Sequence, residues 1–448
     1  MPMLLFSLPV IAAGCLQQLY NTADKIVVGQ WSGEPNALGA IGSTVSLYSL
    51  IVALCNGLSM GSGVTVAHRF GAHDERALSR AVHTAFIVGG IAGILISVIG
   101  FIFCPLFLTW MGTKDAYFDL AVLYMRIIFL GTPASILYNF GAAVLRSVGN
   151  SRAPLVILGT AGLLNVAFNL LFVLAFGMDV EGVALGTIIS QYVSCFAVWL
   201  LLARRRDAAR FRFRDLCIDK RALVDAVRIG LPSGFQASLF AISNVLLAST
   251  VNNYLSDLAV EGNAVSSSIG SYSAAASTGI YQATLTFTGQ NVGAHKPKRV
   301  TRSLFAGVIL ATVIVGALGM GSYLFSDNLA ALFVDPKRDA ADIAEIFRAV
   351  KERSSIVLTC YAIAAVMEVM TGHLRGKKCS ITPMVTTLIF TCFFRIVWMF
   401  LVFPHMEHTI FSLYLCYPIS WTVTLGAHIV TALCLVLREK REARAKSI

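Results

Sequence analysis

The stretch FGAHDERALSR, residues 70–80, has a counterpart 222 residues further along the chain, VGAHKPKRVTR at residues 292–302. Both stretches lie between long apolar runs. Two more pairs match in the same order: LPVIAAGCLQQLYN with LPSGFQASLFAISN at an offset of 223, and LRSVGNSRAP with LRGKKCSITP at an offset of 229. These matches indicate that half of the chain has been duplicated. Many secondary transporters use such a repeat to build a central pathway between two lobes.

The composition indicates a protein that lies in lipid. Of the 448 residues, 56% are hydrophobic and only 13% are charged, whereas soluble proteins carry roughly 25% charged residues. The ten cysteines are scattered without CxxC spacing, so we predict neither a disulfide framework nor a metal site. The first apolar run is followed by no small-residue cleavage site, and we expect it to be a retained span rather than a signal peptide.

Apolar runs of about 20 residues predict twelve membrane spans. They lie near residues 3–30, 38–66, 84–109, 117–144, 154–177, 182–203, 229–254, 262–289, 303–325, 354–374, 383–404 and 409–437. We therefore predict an all-α integral membrane protein with two pseudo-symmetric lobes of six helices. The predicted parts are an N-terminal lobe at 1–203, a basic linker at 204–222, a C-terminal lobe at 223–437 and a basic tail at 438–448.

The distribution of basic residues predicts the orientation. The loops after the even-numbered spans, together with the C-terminal tail, hold 26 of the 35 lysines and arginines. The positive-inside rule therefore places these loops and both termini in the cytoplasm. The net charge of +11 also invites a nucleic-acid interpretation, but basic cytoplasmic loops arise for topological reasons, so we predict no nucleic-acid partner.

Charged side chains inside predicted spans are informative, because each costs roughly 2.5–3.5 kcal/mol at a helix centre. Asp24 is the most informative of them. Along one polar face of span 1 it follows Gln17 and then Tyr20 or Asn21 at helical spacing. At about 1.5 Å per residue, the depth of Asp24 matches that of three side chains on spans 5 and 6. These three are Asn165, Asn169 and Thr187.

This group of polar side chains suits a site that binds and releases a proton or another cation. The alternative interpretation is a hydrogen-bonded cluster that only holds helices 1, 5 and 6 together. A carboxyl is costlier than such a structural role requires, which favours coupling to a cation.

A second set of polar groups lies in the C-terminal half. Glu368 in span 10 and Arg395 in span 11 could form a buried ion pair, and structural pairing and a second coupling site remain equal alternatives. Span 8 is rich in hydroxyl side chains, including Ser271, which indicates a wet cavity or a close helix contact. We also assign Gln236 and Asn244 of span 7 to the cavity or to accessory positions.

The quoted stretches, with LPVIAAGCLQQLYNTADKIVVGQWSG in span 1 and MEVMTGHLRGKKCSITP after span 10, resemble the multidrug and toxic compound extrusion (MATE) transporters of bacteria. The resemblance covers essentially the whole chain. It implies a V-shaped bundle of two six-helix lobes and drug export driven by entry of protons or sodium. Asp24 matches the aspartate in span 1 of the family, and Asn165 and Thr187 match its polar partners. Asn169 replaces a second carboxylate of some members, and Gln236 stands where one branch has an acidic residue for sodium.

Three classes of function follow as hypotheses. The first is an exporter of amphipathic, often cationic compounds, coupled to protons or sodium, without a further cofactor, acting as a monomer in the bacterial plasma membrane. The second is a flippase for lipid-linked oligosaccharides from the same broader superfamily. That function needs several cations around a central cavity. The third is a membrane enzyme, which we do not expect, because no sizeable loop carries paired carboxylates or a histidine cluster. No GxxxxGK[ST] pattern occurs, so we expect no ATP-driven step.

Overall fold

A computed structural model describes the backbone of residues 2–31, 37–334 and 336–445. The side chains at positions 21, 23–31, 37, 38, 45, 46, 50, 440 and 442–444 lie outside the described set. Within the described residues the fold is entirely helical, without strands.

Thirteen helices carry the architecture of the described residues. They are α1 (Pro2–Trp31), α2 (Ala37–Gly71), α3 (Glu75–Trp110), α4 (Phe118–Ser147), α5 (Arg152–Leu170), α6 (Val180–Ala203), α7 (Lys220–Tyr254), α8 (Asp257–Gly293), α9 (Pro297–Leu324), α10 (Ala340–Val357), α11 (Tyr361–Gly376), α12 (Ile381–His405) and α13 (Cys416–Ala445). Shorter helical turns join several of them.

Each of the twelve predicted spans falls on these helices. Among the described residues, ten helices are long and apolar enough to cross a membrane, and α10 and α11, bent by 44° at their junction, meet the same criterion when taken together. The twelfth prediction corresponds to α8, whose 37 residues include ten serines and threonines that lower its hydropathy. The predicted all-α membrane fold is confirmed.

The polar stretch before span 10 contains a helix that the search for long apolar runs did not predict. We predicted span 10 to begin near residue 354, whereas α10 begins at Ala340 and continues into it. Its apolar residues recur at helical spacing, and Ile346, Ala349 and Val350 are buried. Charged residues on the remaining face kept this segment below the hydropathy of a span. Amphipathic periodicity was the relevant signal.

The duplication is visible in the backbone at the ends of the repeated helices. Gly149 and Lys378, which the repeat aligns, both have a positive φ, 91° and 63°. His73 and His295 are a second aligned pair, with φ of 55° and 54°. In all four cases the next residue donates its N–H to a carbonyl five residues earlier, which closes the preceding helix with a left-handed cap. The two halves thus share local backbone geometry as well as sequence.

The chain forms two compact units. The N-terminal unit contains Ala12–Ser238 and Gly289–Lys296. The C-terminal unit contains Met1–Ile11, Leu239–Thr288 and Pro297–Ile448. These units follow the packing of the helices and need not coincide with the sequence repeats, so the lobe boundaries at 203 and 223 stay predictions.

Small residues let helices approach closely within the N-terminal unit. A Cβ placed on Gly61 of α2 would lie 2.2 Å from the carbonyl oxygen of Ala226 on α7. A Cβ on Gly57 would lie 2.4 Å from the Cα of Gly234, one turn along the same contact. The glycine spacing in these two helices therefore serves packing.

Candidate functional site

The described part of the predicted coupling site lies between α5 and α6. Asn165 on α5 donates from Nδ2 to Thr187 Oγ1 on α6 at 3.3 Å. Asn169, one turn further on, is fully buried, and a Cβ on Gly186 would come within 2.2 Å of its Oδ1 atom. The glycine on α6 therefore makes room for the amide. The structure brings these three predicted side chains into one polar patch in an otherwise apolar helix pair.

Helix α1 contacts α5 next to this patch. The hydroxyl of Tyr20 donates to the carbonyl oxygen of Gly159 at 2.9 Å. The tyrosine ring covers Gly162, where a Cβ would lie only 1.8 Å from a ring carbon. Tyr20 thus fixes α1 against the helix that carries Asn165. The side chains of Asn21 and Asp24 lie outside the described ones, and Gln17 is exposed on α1.

In the C-terminal unit, Glu368 contacts α8 rather than α12. Its Oε2 atom accepts a hydrogen bond of 2.6 Å from Ser277 Oγ. One turn along α8, the hydroxyl of Tyr281 accepts a hydrogen bond of 2.7 Å from Arg375 Nη1. The hydroxyl-rich face of α8 therefore makes a polar contact with α11. Ser271, in contrast, donates to the carbonyl oxygen of Ser268 in its own helix.

Arg395 is fully buried and does not pair with Glu368. Its guanidinium carbon lies 3.7 Å from the ring centroid of Tyr417 and 5.2 Å from that of Phe240. Its Nη1 atom donates to Asn244 Oδ1 at 3.3 Å. The ion pair that the sequence suggested is therefore wrong for this structure, because aromatic faces and an amide hold the arginine while Ser277 holds the carboxyl.

These contacts predict that Arg395 contributes to stability together with Tyr417 rather than together with Glu368. Arg395→Lys and Tyr417→Leu should each lower the melting temperature of the detergent-solubilised protein, since a desolvated cation–π contact contributes about 2 kcal/mol. The melting temperature of the double variant should fall by less than the sum of the decreases in the two single variants, because both substitutions remove the same contact. When Arg395→Lys is combined with Glu368→Gln, the decreases in melting temperature should be closer to additive. A larger coupling between Arg395 and Glu368 than between Arg395 and Tyr417 would contradict this assignment.

Sequence reasoning missed a buried histidine that links three helices. His428 on α13 is fully buried, with Nε2 3.0 Å from Thr386 Oγ1 on α12 and Nδ1 3.3 Å from Thr371 Oγ1 on α11. The position of His428 inside the last apolar run could have predicted this contact, because a polar side chain within a membrane span needs buried partners.

Gln236 and Asn244, the two remaining predicted residues, are both half-buried on α7. Gln236 belongs to the N-terminal unit and Asn244 to the C-terminal unit. Asn244 also accepts a hydrogen bond of 3.4 Å from the hydroxyl of Tyr417, so it joins the aromatic surroundings of Arg395.

Sequence comparison identifies the family. The sequence model of the MatE family matches residues 9–171 and 232–401, one segment in each half of the duplication. The chain belongs to the MATE family. Relatives of this MATE protein include the probable multidrug resistance protein YoeA of Bacillus subtilis, 26% identical over 94% of this chain and 91% of the relative. The probable multidrug resistance protein NorM of Thermotoga maritima is 22% identical over 86% of this chain and 81% of the relative.

Solved structures agree with the fold of the MATE protein. A transporter of the MOP superfamily from Pyrococcus furiosus, described as having a binding pocket of reverse polarity, superimposes with a TM-score of 0.89. It is 21% identical, and the match covers 98% of this chain and 96% of the other. An outward-facing multidrug resistance MATE transporter gives a TM-score of 0.87 at 21% identity, covering 98% and 95%. The chain is thus a multi-pass membrane protein with a transporter fold.

Proposed function

We propose that this MATE protein is a secondary exporter that moves amphipathic or cationic organic compounds out of a bacterial cell in exchange for protons or sodium ions. The observation that carries the proposal is the match of the MatE family model to both halves of the chain. Two relatives that span nearly the whole chain bear the name of probable multidrug resistance proteins. We place the protein in the plasma membrane as a monomer, with both termini in the cytoplasm.

The coupling cation binds, in this proposal, at Asp24 with Asn165, Asn169 and Thr187. Helices α1 and α5 run in the same predicted direction, and Tyr20 meets Gly159 and Gly162. Position 24 is one turn beyond Tyr20, and Asn165 is about one turn beyond Gly162, so both backbones reach a similar depth. A carboxylate there would have amide and hydroxyl partners that can accept or donate in either protonation state.

The transport cycle follows from alternating access. In the outward-open state the site at Asp24 takes up a proton or sodium ion, α1 moves at Pro9, a proline inside this helix, and the substrate leaves. The protein then opens inward and releases the cation. We assign Gln17, Tyr20, Asn21, Gln236, Asn244, Ser271, Glu368 and Arg395 to the cavity or to accessory roles.

Dye efflux from proteoliposomes tests the proposal. With a proton gradient or a sodium gradient imposed separately, one of the two should drive efflux of a cationic dye against its concentration gradient. An ionophore that collapses the active gradient should stop it. Absence of efflux under both gradients, with intact protein in the vesicles, would contradict the proposal and direct the search to a lipid-linked substrate.

A further inference from the structure

The linker between α6 and α7 is fixed to α3. The backbone N–H of Arg212 donates to His83 Nε2 at 3.1 Å, and the ring of Phe211 stacks on the imidazole with centroids 5.3 Å apart. Further along, the N–H of Asp219 donates to Thr84 Oγ1 at 3.0 Å. His83 and Phe211 are both buried. The outer face of the linker is therefore presented in one geometry rather than as a free coil.

This outer face carries cations that have no acidic partner. Between Ala203 and Lys220 the chain has six arginines and three aspartates. Arg205 forms a bidentate contact with Asp207, and this hydrogen bonding lowers the pKa of the Asp207 carboxyl, so the pair stays ionised. Arg206, Arg212 and Arg214 are exposed and form no ion pair with any described residue. They are available to an anion outside the protein.

A row of apolar side chains lies beside these arginines. Phe213 is 66% exposed and packs against Trp199 of α6, with ring centroids 5.7 Å apart. Trp199 in turn contacts Phe196, 5.4 Å away and itself exposed. Leu216 and Ile218 of the linker are exposed as well. The row thus continues from a membrane-spanning helix onto the linker without a polar break at Phe213.

We propose that Arg206, Arg212 and Arg214, together with Phe213, form a binding site for an anionic phospholipid on this face of the membrane. Guanidinium groups bind phosphate through paired N–H donors, and aromatic side chains prefer the boundary between headgroups and acyl chains. The apolar row is continuous with the exposed surface of α6, so an acyl chain fits it better than a soluble partner does. The site goes beyond the exporter function and does not depend on it.

The tryptophan beside Phe213 provides a reporter. In a variant that keeps Trp199 and replaces the other four tryptophans with Phe, brominated phosphatidylglycerol should quench fluorescence at a lower mole fraction than brominated phosphatidylcholine. Arg212→Gln with Arg214→Gln should reduce this preference by about tenfold, given the attraction of each basic residue to an anionic surface. Lys298→Gln with Arg299→Gln, at the exposed start of α9, makes the same change in charge and should leave the preference intact.

Three results would overturn the proposal. Equal quenching by the two lipids would remove the headgroup selectivity. Equal losses in both double variants would assign the effect to net charge rather than to this site. Displacement of phosphatidylglycerol by excess inorganic phosphate would assign the arginines to a soluble phosphate ligand. Native mass spectrometry of the Arg212/Arg214 variant with all its tryptophans should show fewer retained phosphatidylglycerol molecules than the wild type, so the test does not depend on the tryptophan replacements.

Discussion

Asp24→Asn should reduce gradient-driven efflux to the level of protein-free vesicles. The amide keeps the size of the carboxyl and can still hydrogen-bond, but it can neither carry the negative charge that binds sodium nor release a proton. If the cation couples at this position, substrate export loses its driving force while the helices stay in place. Efflux under the active gradient measures the loss of coupling. Membrane insertion and the melting temperature of the same variant show whether the fold is intact.

Asp119→Asn is the matched control, because it makes the same chemical change at an exposed position in the first turn of α4. Its efflux should equal that of the wild type. Full efflux by Asp24→Asn would show that the coupling carboxyl lies elsewhere, and Glu368 would be the next position to test.

Gly71→Ala and Gly293→Ala should both lower the melting temperature and impair transport. A Cβ on Gly71 would lie 1.9 Å from the carbonyl oxygen of Gln290, and a Cβ on Gly293 would lie 2.1 Å from that of His68. The two contacts are reciprocal, since the repeat aligns Gly71 with Gly293 and His68 with Gln290. The obstructing atoms are backbone, so the ends of α2 and α8 must separate, at about 1–3 kcal/mol for each substitution.

Gly42→Ala and Gly321→Ala are the controls, because a Cβ at either position meets no atom within 4 Å apart from its chain neighbours and the backbone of its own helix. They should melt at or slightly above the wild-type temperature, since alanine favours a helix over glycine. Gly71→Ala and Gly293→Ala variants that melt together with these controls would disprove the tight crossing. Thermal unfolding of all four variants in one detergent makes the comparison direct.

Sequence patterns predicted the helices well where hydropathy alone defines them. The twelve apolar runs correspond to helices because lipid requires each span to satisfy its own backbone hydrogen bonds. The same criterion could not place the start of α10, where packing of Ile346 and Val350 stabilises a helix whose other face is charged. Hydropathy averages over faces, and only periodicity separates them.

The candidate site could be predicted only in part. The sequence gives the depth of a residue along its helix, but it does not give the rotation of the helix about its axis. Depth placed Asn165 level with Thr187, and these two side chains do form a hydrogen bond. Depth also left Glu368 and Arg395 within reach of each other, yet the carboxyl faces Ser277 and the guanidinium faces Tyr417. Which neighbour a buried charge selects depends on the packing of several helices.

The left-handed caps show what the ancestral duplication has preserved. One copy uses a glycine at position 149, while the other holds Lys378 in the same conformation, which a lysine alone would disfavour. By contrast, the repeat aligns Glu368 with Asn139, whose amide donates to the carbonyl oxygen of Ser135 in its own helix. Inheritance has thus kept the scaffold constant while the chemistry of the two copies diverged. The two halves therefore share one helical framework but carry different functional side chains, so one half cannot replace the other.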